Sequence, residues 1–108
     1  MSITFEQAGN ATIASLEGRL DSTNSPAVEA ELFKQLDDKG FVLDLSKLDY
    51  ISSAGLRVVL VVAKRLKQSG SAFLLAGMQP HIRDVFEISG FLSILDIADS
   101  RDEAIARL

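Results

Sequence analysis

Short apolar-rich runs over residues 3–7 and 11–17 read as two strands, and the Ala8-Gly9-Asn10 step between them tolerates the positive φ that a tight hairpin turn demands. Downstream, Asn24-Ser25-Pro26 places a capping side chain just before proline, and Val28, Leu32, Phe33 and Leu36 recur at helical spacing. This pattern predicts a helix over residues 26–39, closed by Gly40. The mostly apolar residues 41–45 predict an interior strand covered on both faces. Residues 46–51 read as a loop, and residues 53–69 as a long helix ended by a left-handed Gly70.

A further apolar strand is expected over 72–76. Pro80 then opens a third helix, with Ile82, Val85, Phe86 and Ile88 as one apolar stripe before Gly90. Residues 93–97 read as the last strand, and Ser100-Arg101-Asp102-Glu103 as a capping box that starts a C-terminal helix. The order is ββαβαβαβα. It predicts an α/β fold: a mixed, mostly parallel sheet with an N-terminal hairpin and helices packed on it, since parallel neighbours need crossover connections. Partner or ligand sites are then expected in the loops leaving the strands' carboxyl ends.

Size and composition narrow the function. The 108 residues, 47% hydrophobic and 24% charged, suit one domain spanning residues 1–108. Without cysteine there is no disulfide, thiolate zinc site or Cys nucleophile. A net charge of −4 argues against direct binding to nucleic acid or an anionic membrane. The charge is uneven, with four bases and nine acids in residues 1–50 but five bases and no acid from Tyr50 to Arg83. No apolar run approaches the ~20 residues of a membrane span, so a cytoplasmic location is expected.

The richest segment is DLSKLDYISSAGLRVVL, residues 44–60. With Ser52 as N-cap, its oxygen turns onto the amide of Ala54 or Gly55, and Ile51 can pack on Leu56 as a hydrophobic staple. Ser53 is then left with a free hydroxyl at the positive end of the helix, beside the small residues Ala54 and Gly55. A hydrolase nucleophile needs a base within reach, and the single histidine, His81, follows Pro80 on another element. A phosphate acceptor fits better, because the helix amides favour added negative charge and Arg57 lies one turn on. Spacing alone supports a plain helix cap equally well. His81 reads as a surface residue, Asp44 and Asp49 as backbone-bonding carboxylates, and no metal or cofactor is expected.

The same segment resembles the signature of bacterial anti-sigma-factor antagonists, the STAS domain family. GRLDSTNSPAVEAEL is similar to that family's element before its first helix, and LLAGMQPHIRDVFEISGFLSIL to its late strand, helix and strand. The resemblance implies a non-enzymatic regulator that binds an anti-sigma factor with serine kinase activity and is released by phosphorylation. A phosphatase of the PP2C type would reset it. Ser53 matches the modified serine, and Asp21 with Ser22, Ser52, Ala54, Gly55 and Arg57 would form the partner-binding surface. One departure is that Ser52 stands where many members carry Asp, which leaves Ser52 as an alternative phosphosite. The other reading is an unphosphorylated interaction module of the same fold that binds a small molecule or lipid.

Overall fold

A computed structural model describes residues 1–37 and 39–108. Strands β1 (Ser2–Ala8) and β2 (Ala11–Leu20) form the hairpin, followed by α1 (Ser25–Lys34), β3 (Gly40–Ile51), α2 (Ser53–Gln68), β4 (Phe73–Ala76) and α3 (Pro80–Ile88). A short 3-10 turn (Phe91–Ile94), β5 (Asp96–Ala98) and α4 (Arg101–Ala106) complete the chain. The five strands lie in sequence order, with β1 antiparallel to β2 and every later pair parallel. The expected mixed sheet and element order are therefore observed.

The sheet has two unequal cores. On one face α1, α2 and α3 contribute Leu32, Val59, Val62, Leu66, Ile82 and Phe86 to a cluster with Leu16, Leu20, Leu43 and Leu45 of the strands. On the other face α4 alone sets Ala104 against Ile13, Val42, Leu74 and Ala98. Leu43 and Val42 are both fully buried, which is why residues 41–45 read as a continuous apolar run.

Several local expectations are corrected. Residues 46–51, read as a loop, continue β3, which pairs with β2 as far as Leu20 and Ile51 through two register shifts. Those shifts break the period-two pattern, so the polar pairs Ser46-Lys47 and Asp49-Tyr50 imitate a loop. For the same reason β2 runs past Glu17 to Leu20. The predicted helix over 26–39 stops at Lys34. Beyond it the Asp37 carboxylate accepts from the Lys39 amide at 2.8 Å, a local bond that competes with helix, while residue 38 of that predicted turn lies outside the described residues. Asn24 makes no side-chain cap and bonds backward instead. Residues 93–97 are not one strand but the end of the 3-10 turn and the start of β5. Ile88, expected in the apolar stripe of α3, is 87% exposed.

Candidate functional site

The carboxyl ends of β2 and β3 and the amino ends of α1 and α2 meet at one edge of the molecule. β3 outruns β4 there, since β4 pairs only with Phe41–Asp44. The outer edge of β3 would leave carbonyls without a strand partner, and α3's entry supplies one from side chains. Gln79 Nε2 donates to the carbonyls of Ser46 and Leu48 at 3.2 and 2.9 Å, and His81 Nε2 lies 2.6 Å from the Asp49 carbonyl oxygen. His81 is thus exposed, as expected, and its ring is also bonded to backbone.

From this extension the chain turns into α2. The Ser52 amide donates to the Leu20 carbonyl at 2.9 Å, which ties the helix start to the end of β2. Ser52 Oγ accepts from the Gly55 amide at 3.2 Å, and its carbonyl accepts from the Leu56 amide at 2.9 Å. Ser52 is therefore the N-cap in the expected register. Ile51 and Leu56 lie in the same buried cluster, consistent with the staple.

Ser53 is the first residue of α2 and is exposed. No side-chain hydrogen bond occupies its hydroxyl among the described residues. The amides of Ser53 and Ala54 have no intrahelical acceptor, as in any first helical turn, and α2 carries no acidic residue in that turn. Negative charge placed there is favoured by the helix dipole.

Gly55, the fourth small element of the motif, points the other way. It is buried, and a Cβ at this position would lie 2.8 Å from both Ile51 Cγ1 and Leu20 Cγ and 3.0 Å from the Leu20 carbonyl oxygen. Its missing side chain lets the helix tip seat against β2, so it shapes the surface from beneath instead of lying on it. Ala54, Arg57 and Val58 line one wall of a cleft of about 300 Å³, and Ser22, Ser25, Pro26 and Glu29 line the other. Arg57 is exposed and has no carboxylate within ion-pair distance among the described residues.

Asp21 sits at the start of the loop into α1, half-buried and engaged. Its Oδ1 accepts from the amides of Thr23 and Asn24 at 3.0 and 3.3 Å, and its carbonyl accepts from the Ser25 hydroxyl. Asn24 Oδ1 in turn accepts from the Asp21 amide at 2.9 Å. The Asp21 carboxylate fixes the loop that presents Ser22. The structure thus brings Ser22, Ala54 and Arg57 together on one cleft beside Ser53, with Asp21, Ser52 and Gly55 holding that edge in shape.

Two residues of this edge escaped sequence reasoning. Arg19 and Tyr50 face each other across β2 and β3, with the guanidinium carbon 4.2 Å from the ring centroid. Only the continuation of β3 past Ser46, which the polar pairs conceal, would have signalled them.

A second polar cluster lies on the face covered by α4. Arg101 donates through Nε to Asp44 Oδ2 and through Nη1 to Glu6 Oε1, both at 3.0 Å, and through Nη2 to the Ser15 hydroxyl. Asp44 is 7% exposed and its other oxygen accepts from the Ser46 amide, the backbone bonding expected of it. The Glu6 hydrogen bond, with Asp44 adding to it, raises Arg101 above the ordinary arginine range against a smaller loss from desolvation. No group of three or more His, Cys, Asp or Glu placed to hold a metal occurs among the described residues. No helix among them is long and apolar enough to cross a membrane.

The family model described as STAS domain matches residues 2–104. A Bordetella bronchiseptica protein named as an anti-sigma factor antagonist, BtrV, is 51% identical over 98% of this chain and 93% of its own length. The anti-sigma-B factor antagonist of Listeria monocytogenes is 32% identical over 80% of this chain and 77% of that protein. Among solved structures, an anti-sigma factor antagonist from Mycobacterium paratuberculosis shares the fold with a TM-score of 0.90 at 20% identity, covering 98% of this chain and 92% of that one.

Proposed function

Because this chain belongs to the STAS domain family, we propose that it acts as an anti-sigma factor antagonist whose hold on an anti-sigma kinase is released by phosphorylation of Ser53. The observation that carries the site assignment is the division of roles between two neighbouring hydroxyls. Ser52 Oγ is committed to the Gly55 amide, whereas Ser53 is exposed with no bond on its oxygen. A phosphoryl group on Ser52 would displace the cap. On Ser53 it meets open amides and the positive end of α2, with Arg57 one turn along.

The unmodified edge, formed by the Ser22 loop, the Ser53 tip and the cleft at Arg57, is the surface on which the kinase would rest. Phosphorylation adds about −1.5 to −2 charges at neutral pH. Burying that charge against a partner shaped for a hydroxyl costs desolvation, and a hundredfold loss of affinity needs only about 2.7 kcal/mol. One helix dipole and a solvent-exposed arginine stabilise the free phosphoprotein, which widens the gap between bound and free states. A phosphatase of the PP2C type, acting on the exposed ester in the cytoplasm, would restore binding. The domain's own part is recognition rather than catalysis: His81 is spent on the Asp49 carbonyl, and among the described residues no base bonds Ser53.

The test is labelling with the cognate kinase and ATP, followed by peptide mapping. Ser53→Ala is expected to bind the kinase and take up no phosphate, and Ser53→Asp to bind at least tenfold more weakly. Phosphate found only outside Ser52 and Ser53 would overturn the assignment.

A further inference from the structure

Past the ends of both β4 and β1, the sheet narrows to a two-stranded ribbon, residues 18–20 beside residues 48–51. One face of the ribbon is interior: Leu20, Leu48 and Ile51 are each at most 3% exposed. The opposite face presents Arg19 and Tyr50, paired in register and stacked at 4.2 Å. Tyr50 is 40% exposed and Arg19 is exposed, so neither side chain is held there by the core.

Apart from this contact with the Tyr50 ring, no side-chain hydrogen bond occupies the Arg19 guanidinium among the described residues. Arg19 has no carboxylate within 4.0 Å among the described residues, whereas Lys34 has one and Arg101 has two. Stacking orients an arginine fork and lowers the entropy lost when it grips a second group, and a planar fork matches a carboxylate by two parallel bonds. Tyrosine and arginine are also the residue types that most often dominate binding at protein interfaces.

We infer that the Arg19–Tyr50 stack is a docking anchor for the anti-sigma kinase, taking a carboxylate of that protein on the free edge of Arg19. This inference rests on the partner-switching reading. It also follows from position: Tyr50 precedes Ser53 by three residues, so their Cα atoms are at most roughly 11 Å apart. A patch of about 800 Å², the usual share of one partner in a stable complex, includes both. The anchor is not altered by phosphorylation, so it supplies recognition of the particular kinase while Ser53 supplies the switch.

Binding of the cognate kinase used in the labelling experiment, measured by calorimetry and by association kinetics, separates the two ideas. Arg19→Ala is expected to weaken binding at least tenfold, and Arg19→Lys nearly as much, because an ammonium keeps the charge but not the stacked fork. Tyr50→Leu should lose several-fold, and the double variant Arg19→Ala with Tyr50→Leu less than the product of the single losses. Melting temperatures of all the variants should match the wild type within a few degrees, which distinguishes docking from folding. Wild-type affinity in Arg19→Ala, with Ser53→Asp still impaired, overturns the anchor and leaves the phosphoswitch standing. Equal binding by wild type and Ser53→Asp overturns the parent reading instead. If sedimentation shows a wild-type dimer that Arg19→Ala dissociates while kinase affinity is unchanged, the stack serves a second copy of the chain and the inference is wrong.

Discussion

Gly55→Ala tests whether the tip of α2 is seated as described. Alanine is the better helix former by about 1 kcal/mol, so on propensity alone the substitution should stabilise. The new methyl, however, would stand 2.8 Å from Leu20 Cγ and Ile51 Cγ1 and 3.0 Å from the Leu20 carbonyl oxygen. Both side chains are buried, at 0% and 3% exposure, and the carbonyl already receives the Ser52 amide at 2.9 Å. None of the three neighbours has open space to retreat into. Overpacking of this kind costs about 1–3 kcal/mol, and contact with backbone places it in the upper half of that range. Subtracting the propensity gain leaves a net loss of about 1–2 kcal/mol, or roughly 4–10 °C in melting temperature for a chain of this size. Urea unfolding followed by circular dichroism, with the slope checked for constancy, measures it. An unchanged or raised midpoint would refute the argument, because it would mean that the helix tip does not press on β2. Kinase affinity should fall as well, since Ser53 rides on the displaced turn.

The other predictions concern the polar contacts. Ser52→Ala removes the cap and should cost about 1 kcal/mol in unfolding free energy, whereas Ser53→Ala should stay within about 0.5 kcal/mol of wild type; equal losses would contradict the division of roles. Arg101→Ala leaves the Asp44 carboxylate buried with only the Ser46 amide and should cost about 1–3 kcal/mol, a range lowered because the Arg101 side chain is 31% exposed. A base whose pKa is raised by folding contributes fully below its unfolded pKa and loses that contribution only as pH climbs through the folded value. The Arg101 penalty should therefore be flat across neutral pH in urea titrations. Gln79→Ala frees the carbonyls of Ser46 and Leu48 and should speed hydrogen exchange of the amides in residues 47–51 while leaving α4 unchanged.

The hairpin, the long helix and its capped start were legible because each rests on neighbours in sequence: Gly9 with Asn10 at the turn, Ser52 three residues before Gly55, Gly70 just past the last turn. The missed features depend on distant partners. Residues 46–51 read as a loop because their support comes from β2 and from Gln79 and His81, which lie more than thirty residues away in sequence. Asn24 carries the composition of a cap, yet Asp21 and Arg19 offered its amide better bonds. Ile88 kept the helical spacing of its stripe, but spacing does not say how far the covering layer extends, and that layer buries Phe86 while leaving Ile88 exposed. For the site, the Ser53 hydroxyl followed from cap register alone. The inward role of Gly55 and the Arg19–Tyr50 stack required the third dimension.

The commitment of one serine to the cap leaves its neighbour free of any duty in holding the chain together. Under the proposed phosphoswitch, a mark on Ser53 would be written and erased many times without the fold having to melt or re-form at either step. How long each message lasted would then be set by the enzymes that write and remove it, and its meaning would reside in what a reader protein tolerates rather than in any rearrangement of the page.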